Sequence, residues 1–159
     1  MTDLAEPRPI GTDEVTLVEL PAQRAAVVRI EGPVADLPRL MGDAFKATAA
    51  AIGAAGAEFA GPPFARYNAF GARIRADAGF PFAGELEPSG DVRIDELPGG
   101  RAVTTRHVGP YDMIAMAWDR TNAWIRDHGL VPTGAPWECY LTGPDEPGPP
   151  VTEIVFPVL

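Results

Sequence analysis

The sequence predicts an α+β fold of two β-β-α-β-β halves related by a pseudo-twofold axis. An antiparallel sheet of about eight strands, two helices and a central groove are expected. Three observations carry this. Residues 15–33, VTLVELPAQRAAVVRIEGP, return as residues 92–110, VRIDELPGGRAVTTRHVGP, with nine identities in nineteen ungapped positions. A second echo pairs Gly61-Pro62-Pro63-Phe64-Ala65-Arg66-Tyr67 with Gly134-Ala135-Pro136-Trp137-Glu138-Cys139-Tyr140. Phe80-Pro81-Phe82 and Phe156-Pro157-Val158 close the two halves alike. A duplicated unit implies a symmetric frame with a groove where the halves meet.

Residues 1–13 are polar, carry two prolines and are expected to form a loose tail. Residues 14–159 then form one domain, with repeat 1 over about 14–83 and repeat 2 over about 91–159. Glu14 to Leu20 alternates as a strand does. Pro21-Ala22-Gln23 reads as a turn, and the β-branched run Arg24 to Glu31 as the returning strand of a hairpin, stopped by Gly32-Pro33. A helix follows from Val34 or Asp36 to Ala55, with Leu37, Leu40/Met41, Ala44/Phe45, Thr48 and Ala51/Ile52 at helical spacing. Gly56 is its expected C-cap. Phe64 to Phe70 and Arg75 to Phe82 read as strands, with Pro81 near a strand end or on an edge. Residues 83–90 join the halves. Asp91 to Leu97 and Arg101 to Val108 repeat the hairpin around Pro98-Gly99-Gly100. A second helix is expected over Tyr111 to His128, with Ile114, Ala117/Trp118, Thr121 and Ile125 on one face. Trp137 to Thr142 and Val151 to Val158 are the last strands.

Acidic residues outnumber basic ones, 22 to 13, for a formal charge of -9. With no basic run, a direct nucleic-acid surface is not expected. The negative field favours cationic partners. A single cysteine, Cys139, excludes an internal disulfide, and with His107 and His128 makes too poor a set for a zinc site. The apolar stretch from Ala44 to Ala57 is too short and too interrupted to span a membrane. The first residues lack an apolar signal core, so the cytoplasm is the expected compartment.

Subtracting one copy from the other isolates the candidate site. Ala65 becomes Glu138, Val34 becomes Tyr111, and Ile30 becomes His107. Strand alternation puts Glu138 and Tyr140 on one face and Trp137 and Cys139 on the other. A carboxylate among apolar neighbours costs several kcal/mol unless it is paired. A groove that receives a cation meets that need, and aromatic walls would add about 0.5–2 kcal/mol per contact. A solvent-facing Glu138, or one paired with Arg101 or Arg106, is the plain alternative. Tyr111 either points into the groove or plugs the helix start. His107 reads as an ordinary strand histidine and Cys139 as a core thiol. Trp118 fits the inward stripe of its helix. Arg29 and Arg106 occur in both copies and read as scaffold. No phosphate loop, HExxH, GxSxG or dinucleotide fingerprint is present.

These residues, from Arg101 through His107-Val108-Gly109-Pro110-Tyr111 and Gly134 to Tyr140, to Thr152-Glu153-Ile154 and Pro157-Val158, resemble the GyrI-like effector-binding domains of AraC- and MerR-type regulators. The resemblance covers residues 13–159. It implies a small-molecule pocket in the central groove, with Glu138 facing it and Tyr111, Trp137 and Tyr140 as aromatic walls. Tyr67 and Phe64 are the first-half counterparts. With about 13 residues before the first strand, no helix-turn-helix is expected and the domain reads as free-standing. The first expectation is a binding protein for hydrophobic, often cationic, small molecules. The second is a hydrolase of cyclopropane-bearing toxic compounds, with Glu138 activating water and Tyr111 or Tyr140 orienting it. The third is a protein-interaction module of the gyrase-inhibitor type, which leaves a protein partner open. No cofactor or metal is expected. Haem, suggested by the related SOUL-type fold, would find only His107 as an axial ligand.

Overall fold

The computed structural model describes residues 14–143 and 145–159; the expected tail lies outside them. The first half comprises β1 (Thr16–Leu20), β2 (Gln23–Pro33), helix α1 (Leu37–Ala55), a short β3 (Glu58–Phe59), β4 (Phe64–Ala69) and β5 (Arg73–Ala83). The second comprises β6 (Val92–Leu97), β7 (Gly100–Val108), α2 (Ala115–Asp127), β8 (Trp137–Tyr140) and β9 (Val151–Pro157). The strands form one antiparallel sheet in the order β1-β7-β9-β8-β4-β5-β2-β6, with β3 added on β5. The α+β duplication is therefore present.

The hairpins are not. β1 pairs with β7, from Thr16 opposite Thr104 to Leu20 opposite Gly100, while β6 pairs with β2. Each half lends its first strand to the other. The first link, Pro21-Ala22, lacks the glycine or asparagine that a two-residue hairpin favours, but the second, Pro98-Gly99, has one and is exchanged as well, so turn chemistry alone does not decide the pairing. The two links instead lie against each other: a Cβ on Gly99 would sit 2.6 Å from the Ala22 nitrogen. The exchange interlocks the repeats into one domain.

Other boundaries shift for local reasons. β2 runs through Gly32-Pro33, which pair with Ile74 and Arg73, so the Gly-Pro pair ends the strand later than expected. Both helices are entered through a 3-10 turn, Val34–Asp36 and Tyr111–Met113, so α2 starts after Tyr111. These i→i+3 bonds turn the chain sharply from strand to helix. α1 buries Leu37, Met41, Ala44, Thr48 and Ile52, and ends at Gly56 in the left-handed conformation, φ 71°.

The sheet curls into a half-barrel. Its concave face closes on Val27, Phe64, Leu97, Ala102, Trp137 and Val155, contributed by strands of both halves. The helices cover the convex face: α1 packs on Ile30, Ala65, Ala76 and Ala78, and α2 on Val103, Ile154 and Phe156. The repeated arginines serve the frame. Arg29 faces Asp77 across β2 and β5 with an N–O separation of 2.7 Å, and Arg106 faces Glu153 across β7 and β9 at 4.0 Å. Among the described residues no helix is long and apolar enough to cross a membrane.

The closest backbone approach is at Gly79 in β5, where a Cβ would fall 1.8 Å from the Ala26 carbonyl oxygen. Gly79→Ala is expected to cost about 3 kcal/mol or more, since neither backbone can yield. Gly42 is exposed in α1 with open space around it. Gly42→Ala should stabilise by about 0.5–1 kcal/mol through helix propensity. Urea denaturation of the two variants checks both signs.

Candidate functional site

Glu138 occupies the middle of the sheet. It lies opposite Ala65 on β4 and Ile154 on β9, with its side chain on the convex face. Its neighbour Ala65 is small, and that leaves room for the longer side chain beside it. Glu138 is 1% exposed. It pairs with neither Arg101 nor Arg106; its bonded partners are neutral donors. Tyr67 and Tyr140 donate their hydroxyls to Oε1 at 3.3 and 2.8 Å, and Tyr111 donates to the same oxygen. The Trp118 indole donates to Oε2 at 2.6 Å. Charge-assisted bonds of this kind contribute about 1.5–3 kcal/mol each and offset the desolvation of the carboxylate.

Four separate elements supply these donors. Tyr67 comes from β4, Tyr140 from β8, Tyr111 from the 3-10 turn and Trp118 from α2. Tyr67 and Tyr140 share a face with Glu138 by strand alternation. Trp118 falls one residue after Ala117, on the flank of the buried stripe of α2, so its ring reaches over the sheet edge-on to Tyr67 with centroids 6.3 Å apart. The three phenols are crowded, with the Tyr67 hydroxyl 3.2 Å from that of Tyr111 and 3.4 Å from that of Tyr140.

A cavity of about 450 Å3 opens beside this cluster. Tyr67, Phe70, Tyr111, Ile114, Trp118 and Pro136 supply its walls, and Glu138 lies at its inner surface. Asn68 and Asp119 add polar groups. Among the described residues, no Lys, Arg or His lines it.

The structure thus brings together Glu138, Tyr67, Tyr111, Tyr140 and Trp118. It places Phe64 and Trp137 elsewhere: both belong to the concave-face core, because each is one residue out of phase with the Glu138 face. Cys139 lies on that face too, and burial, helped by Glu153, pushes its thiol up to about 12. His107 donates from Nε2 to the Pro110 carbonyl at 2.9 Å and does not line the cavity. Among the described residues no group of three His, Cys, Asp or Glu is arranged to hold a metal. Phe70, Ile114, Asn68, Pro136 and Asp119 were not anticipated. Carrying the subtraction past the first strands would have flagged Asp119, which stands where the first repeat has Gly42.

The sequence matches the GyrI-like small molecule binding domain over residues 13–159. The chain belongs to this family. No curated protein matches it in sequence. In structure it is similar to the EcmrR C-terminal domain, with TM-score 0.80, 22% identity, and coverage of 92% of this chain and 97% of that one. It spans 57% of the EcmrR chain seen in an EcmrR–DNA complex. It also resembles a hydrolase encoded by lin2189 from Listeria innocua, with TM-score 0.65, 14% identity and 92% of each chain covered. SAV2435 bound to tetraphenylphosphonium gives TM-score 0.58 at 12% identity, over 92% of this chain and 94% of that one. At these identities the likenesses speak for the fold.

All three tyrosines of this GyrI-like domain converge on one carboxylate. Burial first, and the Glu138 charge second, raise the titration of Tyr67, Tyr111 and Tyr140 well above the ordinary phenol range. They therefore stay protonated donors at any physiological pH. The unfolded chain would ionise its phenols near pH ~10, whereas the folded one holds those protons longer. The folded state binds more protons above that pH, so stability is unaffected below pH ~10 and falls as pH rises beyond it. Tyrosinate absorbance should stay near zero in the native protein at pH ~10.5 and appear only together with loss of circular dichroism. Free titration of any one tyrosine at its ordinary value would contradict this network.

Proposed function

We propose that this GyrI-like domain binds hydrophobic cations in the cavity beside Glu138. The observation that carries the reading is a buried carboxylate facing an aromatic cavity in which, among the described residues, there is no basic side chain. Its volume is within the range of small-molecule sites, and its walls are mainly apolar and aromatic. The polar donors around Glu138 compensate its burial without cancelling its charge, so the cavity keeps a negative potential for a ligand. At an effective dielectric near 20, a cation about 5 Å from a carboxylate gains about 3 kcal/mol. The binding of tetraphenylphosphonium by SAV2435, which shares the fold, supports the same ligand class.

Turnover is the weaker reading. General-base action needs a carboxylate lone pair within reach of water. Here Oε1 already accepts from three phenols and Oε2 from an indole. The arrangement suits holding a charge better than accepting a proton.

Glu138→Gln keeps the shape of the side chain and removes the charge. Tetraphenylphosphonium should bind at least about tenfold more weakly, or ~1.4 kcal/mol, while a neutral tetraphenyl analogue changes by less than about twofold. Quenching of tryptophan fluorescence, with Trp118 in the cavity wall, reads both titrations. Equal losses for the charged and neutral probes would remove the electrostatic role of Glu138.

A further inference from the structure

We propose that Asp119 is an outer recognition point of the same cavity, and that the preferred ligand class is an aromatic dication. One delocalised or quaternary charge lies near Glu138, and an N–H-bearing cationic group, such as an ammonium or amidinium, sits on Asp119. This rests on the cation-binding reading and adds the ligand class and a second residue.

Two acids line the cavity, and they stand in opposite conditions. Glu138 is buried, and both its oxygens are occupied by donors of the protein. An amine seeking a hydrogen bond there would have to displace a phenol or the indole. A cation without N–H groups has no such bond to make and loses nothing at that depth. Glu138 therefore selects charge rather than donors.

Asp119 is exposed at the cavity wall, and among the described residues it accepts no hydrogen bond and forms no ion pair. Both of its oxygens are open. A carboxylate with two open oxygens is matched by a planar N–H pair, which it can accept in bidentate fashion. Asp119 follows Trp118 on α2, and the Trp118 indole extends from that helix down to Glu138. The two carboxylates therefore stand at different depths along one aromatic wall. An elongated aromatic body with a charge at each end fits that layout better than a single central charge. Asn68, which also lines the cavity, is turned by its amide nitrogen toward Asp77 at 3.3 Å and carries no charge, so Asp119 is the charged acceptor at the outer wall.

Asp119 is solvent-screened, so its contribution is expected to be modest. Calorimetric titration with two probes tests it: tetraphenylphosphonium, with one charge and no N–H, and (4-amidinobenzyl)triphenylphosphonium, which carries a phosphonium at one end and an amidinium at the other. Asp119→Asn should weaken the amidinium probe about fivefold and tetraphenylphosphonium less than about twofold. Asp119→Glu should restore binding of the amidinium probe, and Glu138→Gln should weaken both probes. If Asp119→Asn weakens both probes equally, or neither, while Glu138→Gln still acts on both, the outer site is wrong. It is equally wrong if the unaltered protein binds tetraphenylphosphonium but not the amidinium probe. If Glu138→Gln leaves tetraphenylphosphonium binding unchanged, it is the underlying cation-binding reading that fails.

Discussion

Removing a carboxylate from water in the middle of a sheet costs several kcal/mol unless the protein supplies what the water supplied. In this GyrI-like domain the replacement is four donors on Glu138, three hydroxyls and an indole N–H. They come from two strands, a 3-10 turn and a helix. The site therefore exists only when those elements are in register. A shift of β8 by one residue would turn Glu138 onto the concave face among Phe64, Trp137 and Val155. The packing of α2 on β7 and β9 sets how far Trp118 reaches. Fold and site are one constraint at this point.

The exchange of first strands explains how a symmetric frame holds an asymmetric site. Because β1 pairs with β7 and β6 with β2, each half is completed by the other. The duplicated arginines then do equivalent work, Arg29 with Asp77 and Arg106 with Glu153, both as facing residues of neighbouring strands. At the centre, β4 and β8 bring the two equivalent positions side by side, Ala65 opposite Glu138. Two glutamates facing each other there would repel in a low-dielectric environment. One small residue and one acid is a stable solution, and it accounts for the difference between the copies at that place.

Much of this was legible in the sequence. The helices followed from apolar spacing, and the position of Glu138 from alternation around Trp137 and Tyr140. Alternation also placed Trp137 away from Glu138, and the structure obeys the period for Trp137 and for Phe64 alike. The strand exchange was not legible, for a physical reason. β1 and β6 both end in Glu-Leu and are followed by Pro, so hairpin and exchanged pairings bury the same pattern. Phe70 and Asp119 escaped because one sits in a turn and the other on a helix, outside the segments where the copies align most clearly.

If the cavity binds cations as proposed, the donor set also bears on what it would discriminate. A bare buried carboxylate would bind any strong hydrogen-bond donor, charged or neutral. Satisfying it internally removes that option while leaving its charge to act through space. Because the tyrosine hydroxyls are held protonated by burial, the set stays complete across the physiological range. Neutral polar molecules then find aromatic walls and few open acceptors, and lose the bonds they made to water on entering. Lipophilic cations hold their hydration weakly and keep the electrostatic gain. On the proposed cation-binding function, the same four bonds that make the buried acid tolerable to the fold turn it from a hydrogen-bonding group into a detector of charge.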